Sequence, residues 1–338
     1  MNKCFFGDCR ETMRQLIADG VKVQTCVTSP PYWGLRDYGH EGQLGLEESP
    51  EAYVANMVEV FGLVRDLLQD DGTLWLNLGD SYYNYRPGLG QALAKQTVSN
   101  NKQDLPDTCA RRGNKLNGLK EKDLIGIPWR VAFALQANGW YLRSDIIWYK
   151  PNPMPESVTD RPTKTHEYIF LLTKNKDYYY DCDAIKEQAI YALESGDNRP
   201  PGIVRDRLYG YDSKEAKLRG REITETKNGI TIRHPNGKHG EGQQSPKSIV
   251  NMRNKRTVWE VATMPYVGAH FATFPEKLIE PCILAGAPTG GIVFDPFFGS
   301  GTTGEVSQRL GRKWIGCELN NDYAPLQDKR TAQEGLPL

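Results

Sequence analysis

Apolar residues along this 338-residue chain gather into short blocks separated by polar or glycine-rich turns. Unbroken apolar runs of about four to eight residues predict buried strands, and apolar positions recurring every three or four residues predict amphipathic helices. By these patterns Lys3 to Gly7 reads as a strand, Cys9 to Ala18 as an amphipathic helix and Val21 to Val27 as a buried strand. Ser49-Pro50-Glu51 carries the signals of a helix start, and that helix runs to about Leu68. Gly72 to Asp80 is the next buried strand, and Ile127-Pro128 opens a helix through Gln136, capped near Asn138-Gly139. Tyr141 to Tyr149 and His166 to Leu172 are strands, and Glu276 to Ala285 is a helix. A strand ending at Asp295 leads through a glycine-rich turn into another helix, and Arg312 to Gly316 closes the series as a strand. Strands alternating with helices specify an α/β fold, doubly wound.

Three stretches break the pattern. Tyr82 to Lys122 has few aliphatic residues and many Asn, Gln and Gly, with Arg111, Arg112 and Lys115 among its cations. It reads as a mobile basic loop or as a dispensable insertion. Lys150-Pro151-Asn152-Pro153-Met154-Pro155 must run extended, because alternating prolines exclude helix and ladder alike. Cys182 to about Ala262 loses periodicity and becomes polar and basic.

Hydrophobic residues at 39% suffice for one large domain, or one domain with a substantial insertion. The formal net charge is zero, yet Arg199 to Arg256 carries 14 Lys+Arg against 6 Asp+Glu. A phosphate backbone responds to such a local excess rather than to the total. The 7 cysteines are odd in number and form no C-x-x-C pair, which favours a reduced, intracellular protein with no structural zinc. The start is too short for a signal peptide and no long apolar run exists, so a cytoplasmic protein without membrane spans is expected.

Two stretches carry candidate chemistry. After the strand ending at Val27 comes Thr28-Ser29-Pro30-Pro31-Tyr32-Trp33. Adjacent prolines cannot continue a ladder, so the chain leaves the sheet in a stiff segment whose carbonyls remain free as acceptors. Acceptors beside an aromatic face suit an amino-bearing heterocycle, and a strand end with packed aromatics is the plainer reading. Near the other end, Asp295-Pro296-Phe297-Phe298-Gly299-Ser300-Gly301-Thr302-Thr303-Gly304 joins a strand to a helix, and its glycines allow a ligand close approach at the helix N-terminus. Glu318 follows 17 residues after Gly301, at the end of the next strand, where an acid can bind a ribose diol.

Together the two stretches resemble the amino-methylating DNA methyltransferases, with Ser-Pro-Pro-Tyr as catalytic motif and Asp-Pro-Phe-x-Gly-Ser-Gly-Thr as cofactor loop. Their order, catalytic motif first, is similar to the circularly permuted beta group. The resemblance implies a Rossmann-like S-adenosylmethionine-dependent methyltransferase fold, circularly permuted, with a DNA-recognition insertion. Residues 1–182 would form the catalytic half, with the basic loop 82–122 near DNA, residues 183–262 the target-recognition segment, and 263–338 the cofactor half. It assigns Ser29, Pro30, Pro31 and Tyr32 to catalysis. Asp8, Thr28, Phe274, Asp295, Phe297, Gly299, Ser300, Gly301, Thr302, Thr303 and Glu318 are assigned to S-adenosylmethionine. Asp8 also fits a helix cap. Asn77 and Asp80 resemble the element flanking cofactor and base. By position alone, Trp33 and Arg36 are candidates to seal the pocket or touch a phosphate. Lys150, Asn152, Arg161, Thr165, His166 and Glu167 are candidate pocket or DNA contacts. Arg36, Arg111, Arg112, Arg253, Lys255 and Arg256 are candidate DNA contacts, and no metal is expected. Double-stranded DNA is the implied partner, a cognate restriction endonuclease is compatible with it, and so is a monomer or a homodimer.

Members with Ser at the first motif position usually methylate cytosine N4, and those with Asp usually adenine N6, so cytosine N4 is expected here and adenine N6 is the alternative. A nicotinamide dehydrogenase would need the third glycine of G-x-G-x-x-G and would leave Ser-Pro-Pro-Tyr unexplained. Cytosine C5 chemistry needs a thiolate, and the Pro281-Cys282 pair lies inside a predicted helix. A non-catalytic DNA-binding relic would show damage in one motif, and both are intact. RNA as substrate has no module signature to support it.

Overall fold

The computed structural model describes residues 2–35, 39–83, 118–188, 222–226, 229–233, 252–263 and 274–332. They fall into two units, Met1–Ile185 with Arg256–Leu338, and Lys186–Lys255. In chain order the first unit runs β1 (Lys3–Phe6), α1 (Cys9–Ala18), β2 (Val23–Thr28), α2 (Pro50–Leu67), β3 (Leu68–Leu78), α3 (Ile127–Ala137), β4 (Tyr141–Tyr149) and β5 (His166–Thr173). The second unit contributes β6 (Glu187–Gln188), β7 (Glu222–Thr226), β8 (Gly229–Arg233) and β9 (Met252–Arg253), paired antiparallel as β6 with β9 and β7 with β8. The first unit resumes with β10 (Val258–Glu260), α4 (Glu276–Gly286), β11 (Ile292–Asp295), α5 (Thr302–Arg309), β12 (Lys313–Glu318) and α6 (Ala324–Thr331).

The eight-stranded sheet has the order β1-β12-β11-β2-β3-β5-β4-β10. Its neighbours are parallel except β5, which runs antiparallel to both β3 and β4. From β11 the chain moves outward to β12, and from β2 it moves outward the other way to β3. The strand order therefore reverses between β11 and β2, which opens a crevice at their C-terminal ends. The permutation is visible in the pairing of β1 with β12, where Phe6 lies opposite Glu318.

Period-two alternation splits the core into two layers. Leu74, Leu76 and Phe294 face α1, α2 and α3 through Met13, Tyr53, Phe61 and Leu135. Trp75, Ile169 and Val293 face α4 and α5 through Ile279, Ile283 and Val306. The α2 start behaves as its sequence predicts: Ser49 accepts from the Ala52 amide at 3.1 Å and Pro50 occupies the first turn.

Two boundaries differ from expectation. β3 begins at Leu68, paired with Val23, and a register shift between Val23 and Thr25 lets polar Gln69 to Asp71 pass before regular pairing resumes at Thr73. The stretch 183–262 is not one aperiodic segment, because Val258 pairs with Ile147 and adds β10 to the main sheet. Among the described residues no helix is long and apolar enough to cross a membrane.

Phe298 is 3% exposed and stacks on Trp314 with centroids 4.8 Å apart. Gly316 in β12 and Gly304 in α5 leave it room, since a Cβ on either would overlap its ring. Gly316→Ala is expected to lower stability by about 1–3 kcal/mol through overpacking. Urea unfolding measures this, and an unchanged midpoint would mean that Phe298 is free to shift.

Candidate active site

β2 delivers Thr28 to the crevice, and the two prolines carry the chain out of the sheet. Tyr53 Oη donates to the Pro31 carbonyl at 2.9 Å, whereas no described residue donates to that of Pro30. The Ser29 hydroxyl lies 3.2 Å from Tyr32 Oη, which in turn lies 2.7 Å from Glu167 Oε2 and 3.1 Å from Asn77 Oδ1. Lys150 Nζ donates to the other oxygen of Glu167, and Asn77 Nδ2 donates to Oε2 at 3.2 Å and to the Tyr168 carbonyl at 3.1 Å. Burial pushes the Tyr32 phenol well above its ordinary range and the charge of Glu167 adds to that, so the hydroxyl stays neutral. The ring of Tyr32 lies against Gly79, where a Cβ would sit 2.6 Å from Cε2. Glycine is thus required beneath the ring.

The glycine loop is shaped by positive φ at Gly299 (52°) and Gly301 (91°), which side chains disfavour. Asp295, 1% exposed, ties this loop to the catalytic stretch. Its Oδ1 accepts from Thr28 Oγ1 at 2.6 Å and from the Phe297 amide at 3.0 Å, and its Oδ2 accepts from Thr303 Oγ1 at 2.6 Å. Glu318 accepts from the Gly299 amide at 2.7 Å and the Asn320 amide at 2.9 Å. Burial raises its carboxyl above the usual range against those two amides.

Support from α6 has no local sequence signal. Gln327 Nε2 donates to the Gly299 carbonyl at 2.7 Å, and Arg330 donates to Ser300 Oγ at 2.8 Å and Thr302 Oγ1 at 2.5 Å.

A cavity of about 1030 Å³ lies between the two motifs. Its wall brings together Ser29, Pro30, Pro31 and Tyr32 with Asp8, Phe274, Phe297, Gly299, Ser300, Thr302 and Glu318. Thr28, Asp295, Gly301 and Thr303 are absent from that wall and lie buried behind it, so they shape the loop rather than face a ligand. Asp8 combines both expected roles, capping α1 through the Arg10 amide at 2.8 Å while lining the cavity. Burial would raise its carboxyl, but hydrogen bonds and charge from Arg10 outweigh burial and hold it low.

Asn77, Asp80, Lys150, Asn152, His166 and Glu167 line the wall, while Arg161 and Thr165 do not. Asp80 also accepts from the Gly126 and Ile127 amides at 3.0 and 3.1 Å, holding the start of α3. Trp33 is a correction: it is 4% exposed, donates to the Glu47 carbonyl and packs in the core instead of sealing the pocket.

Of the cations expected at DNA, Arg36, Arg111 and Arg112 lie outside the described residues, as does most of the basic loop 82–122. Arg253 is paired with Glu187 at 2.9 Å, and Lys255 and Arg256 lie within the described residues. Among the described residues no group of His, Cys, Asp or Glu could hold a metal. Burial pushes the Cys9 thiol, on the cavity wall, up to about 12 and raises Cys317 well above its ordinary value, so neither supplies a thiolate.

The cavity fits S-adenosylmethionine. A Cβ on Gly299 would meet nothing closer than the Phe297 carbonyl oxygen at 4.0 Å, so the loop backbone can approach a ligand, and Asp8, Glu318, Phe274 and Phe297 line the same cavity. That set of groups suits a cationic donor carrying a ribose and an aromatic base.

Comparison with known proteins gives a consistent picture. The N6_N4_Mtase family, described as DNA methylase, matches residues 23–329. The chain is 44% identical over 328 residues to the type II methyltransferase M.SmaI of Serratia marcescens, covering 97% of this chain and 90% of that one. It is 42% identical over 330 residues to M.Cfr9I of Citrobacter freundii, covering 98% and 87%. The fold is similar to the solved PvuII DNA methyltransferase (cytosine-N4-specific), with a TM-score of 0.56 and 17% identity over 99% of this chain and 88% of that one.

The Asp295 linkage has a pH signature. Burial pushes its carboxyl up to about 6, against hydrogen bonds from Thr28, Thr303 and Phe297 that lower it. The folded protein then holds the proton more tightly than the unfolded chain, so this group's contribution is full at low pH and is lost as pH rises through about 6. Relative to Asp295→Asn, wild type is expected to gain on the order of 1–3 kcal/mol between pH 8 and pH 5. Urea unfolding of both proteins across that range checks it, and a flat difference would contradict it.

Proposed function

The chain belongs to the N6/N4 family of DNA methylases, an amino-methylating enzyme that uses S-adenosylmethionine, and from that premise we propose that its target is cytosine N4 in double-stranded DNA. The observation that carries this reading is Ser29 on the cavity wall beside the Pro30 carbonyl, to which no described residue donates. An exocyclic amino nitrogen is a poor nucleophile because its lone pair is delocalised into the ring. Ser29 and the Pro30 carbonyl would accept its hydrogens, making that lone pair more available, and an uncharged Ser can also donate. Tyr32 would stack the extruded base, with Glu167 and Asn77 holding its hydroxyl and Gly79 backing its ring.

Bound S-adenosylmethionine supplies an electrophilic methyl group on a sulfonium that departs as a neutral thioether. The remaining task for this chain is orientation, aligning the amino nitrogen with that methyl across the crevice. Asp8 and Glu318 would hold the donor's adenosine, and Phe274 and Phe297 its apolar surface. The basic segment within 183–262 would read the DNA sequence, with Lys and Arg on phosphates and guanine edges. A type II modification role, with a cognate endonuclease, is the setting proposed from the relatives' names.

Nucleoside analysis of plasmid DNA incubated with the protein and S-adenosylmethionine is expected to show N4-methylcytosine. N6-methyladenine would overturn the base assignment, and no methylated nucleoside would overturn the catalytic reading. Tyr32→Ala is expected to slow methylation about 10- to 100-fold, as loss of one stacking contact implies, with cofactor affinity kept. Tyr32→Phe should keep most activity, and equal loss in both variants would assign the role to the hydroxyl instead of the ring.

A further inference from the structure

Extruding a base leaves a gap in the duplex, and the lost stacking and pairing cost a few kcal/mol. Proteins that hold DNA unstacked insert apolar wedges, Phe, Leu, Ile, Met or Pro, between base steps. The rim of the cavity carries such a side chain. Met154 lines the cavity and is 73% exposed, the most exposed large hydrophobic among the described residues. A side chain so exposed gains little from burial on folding, so packing does not explain its position.

Its support is stiff. Pro151, Pro153 and Pro155 fix the backbone on either side. On one flank, Asn152 Nδ2 donates to the Thr263 carbonyl at 3.0 Å and the Thr263 amide donates back to Asn152 Oδ1 at 2.9 Å. On the other flank, Arg161 donates to Glu156 at 2.7 Å and lies 3.7 Å over the Tyr82 ring. The loop root is Lys150, bonded to Glu167, which holds Tyr32. An apolar finger is thus mounted on the same framework as the ring assigned to the extruded base, and no loop ordering is needed to present it.

We propose that Met154 is the wedge of this enzyme, entering the base stack at the position vacated by the target base and so holding that base in the cavity. The proposal rests on the extruded-base reading above.

The test uses the full chain and short synthetic duplexes carrying a site mapped by sequencing plasmid DNA that the enzyme has modified. One duplex has the target base normally paired, and a second places it opposite an abasic site, where pairing no longer opposes extrusion. Single-turnover methylation is measured for wild type, Met154→Gly and Met154→Leu. The premise is checked separately by 2-aminopurine at the target position, whose fluorescence should rise when wild type binds. Met154→Gly is expected to slow methylation of the paired duplex roughly tenfold, to leave the orphan duplex within about twofold, and to weaken the fluorescence rise, while Met154→Leu restores all three. Equal rates for Met154→Gly and wild type on the paired duplex would overturn the wedge. Equal loss on both duplexes would overturn it too, marking Met154 as part of the cavity wall. If wild type itself gives no fluorescence rise, the extruded-base reading fails, and the wedge with it.

Discussion

One buried carboxylate joins the two halves of the chemistry. Asp295, at the end of β11, accepts from Thr28 on the neighbouring central strand and from Thr303 in the first turn of α5. Thr28 lies immediately before Ser29, and Thr303 lies inside the glycine-loop helix, so a single side chain ties the stretch assigned above to the amino group to the loop assigned to the methyl donor. Burying an ionised carboxylate is unfavourable unless its lone pairs are satisfied, and here the Thr28 and Thr303 hydroxyls and the Phe297 amide do so. The charge is tolerated where orientation matters most.

Around that link, the cavity wall carries charge of both signs. Asp8 and Glu318 line it as acids, while Lys150 and Lys164 line it paired with Glu167 and Asp80. Burial lowers the Lys164 ammonium below its ordinary range, with Asp80 opposing that shift. Each catalytic element is backed by something that cannot move easily: Gly79 under Tyr32, the Tyr53 bond on Pro31, α6 behind the glycine loop. Preorganisation of this kind is what an orientation-limited methyl transfer needs.

Much of this was legible in the sequence because it depends on local rules. β4 and α1 have the bounds their periodicity predicts, and the Pro-Pro exit and the glycine loop announce themselves by residues that permit few backbone conformations. The remainder depends on which residues meet across long separations. Thr28 and Asp295 each sit in a motif, yet their bond spans 267 positions, and only the sheet order makes them neighbours. Gln327 and Arg330 had no motif to mark them. Trp33, next to the motif in sequence, lies in the core because adjacency does not say on which side of a turn a ring falls. β10 has 3 residues in a polar stretch, too short for a periodic signal.

The claim on which the account rests most heavily is that Thr28 and Thr303 are energetically joined through Asp295. A double-mutant cycle of Thr28→Val and Thr303→Val, read by urea unfolding, tests it directly. The account predicts non-additive losses, with an interaction term of about 0.5–3 kcal/mol, as found for residues sharing one network. Losses that add to within roughly 0.3 kcal/mol would mean that the two hydroxyls act independently, and that the catalytic stretch and the cofactor loop are held in register by something else.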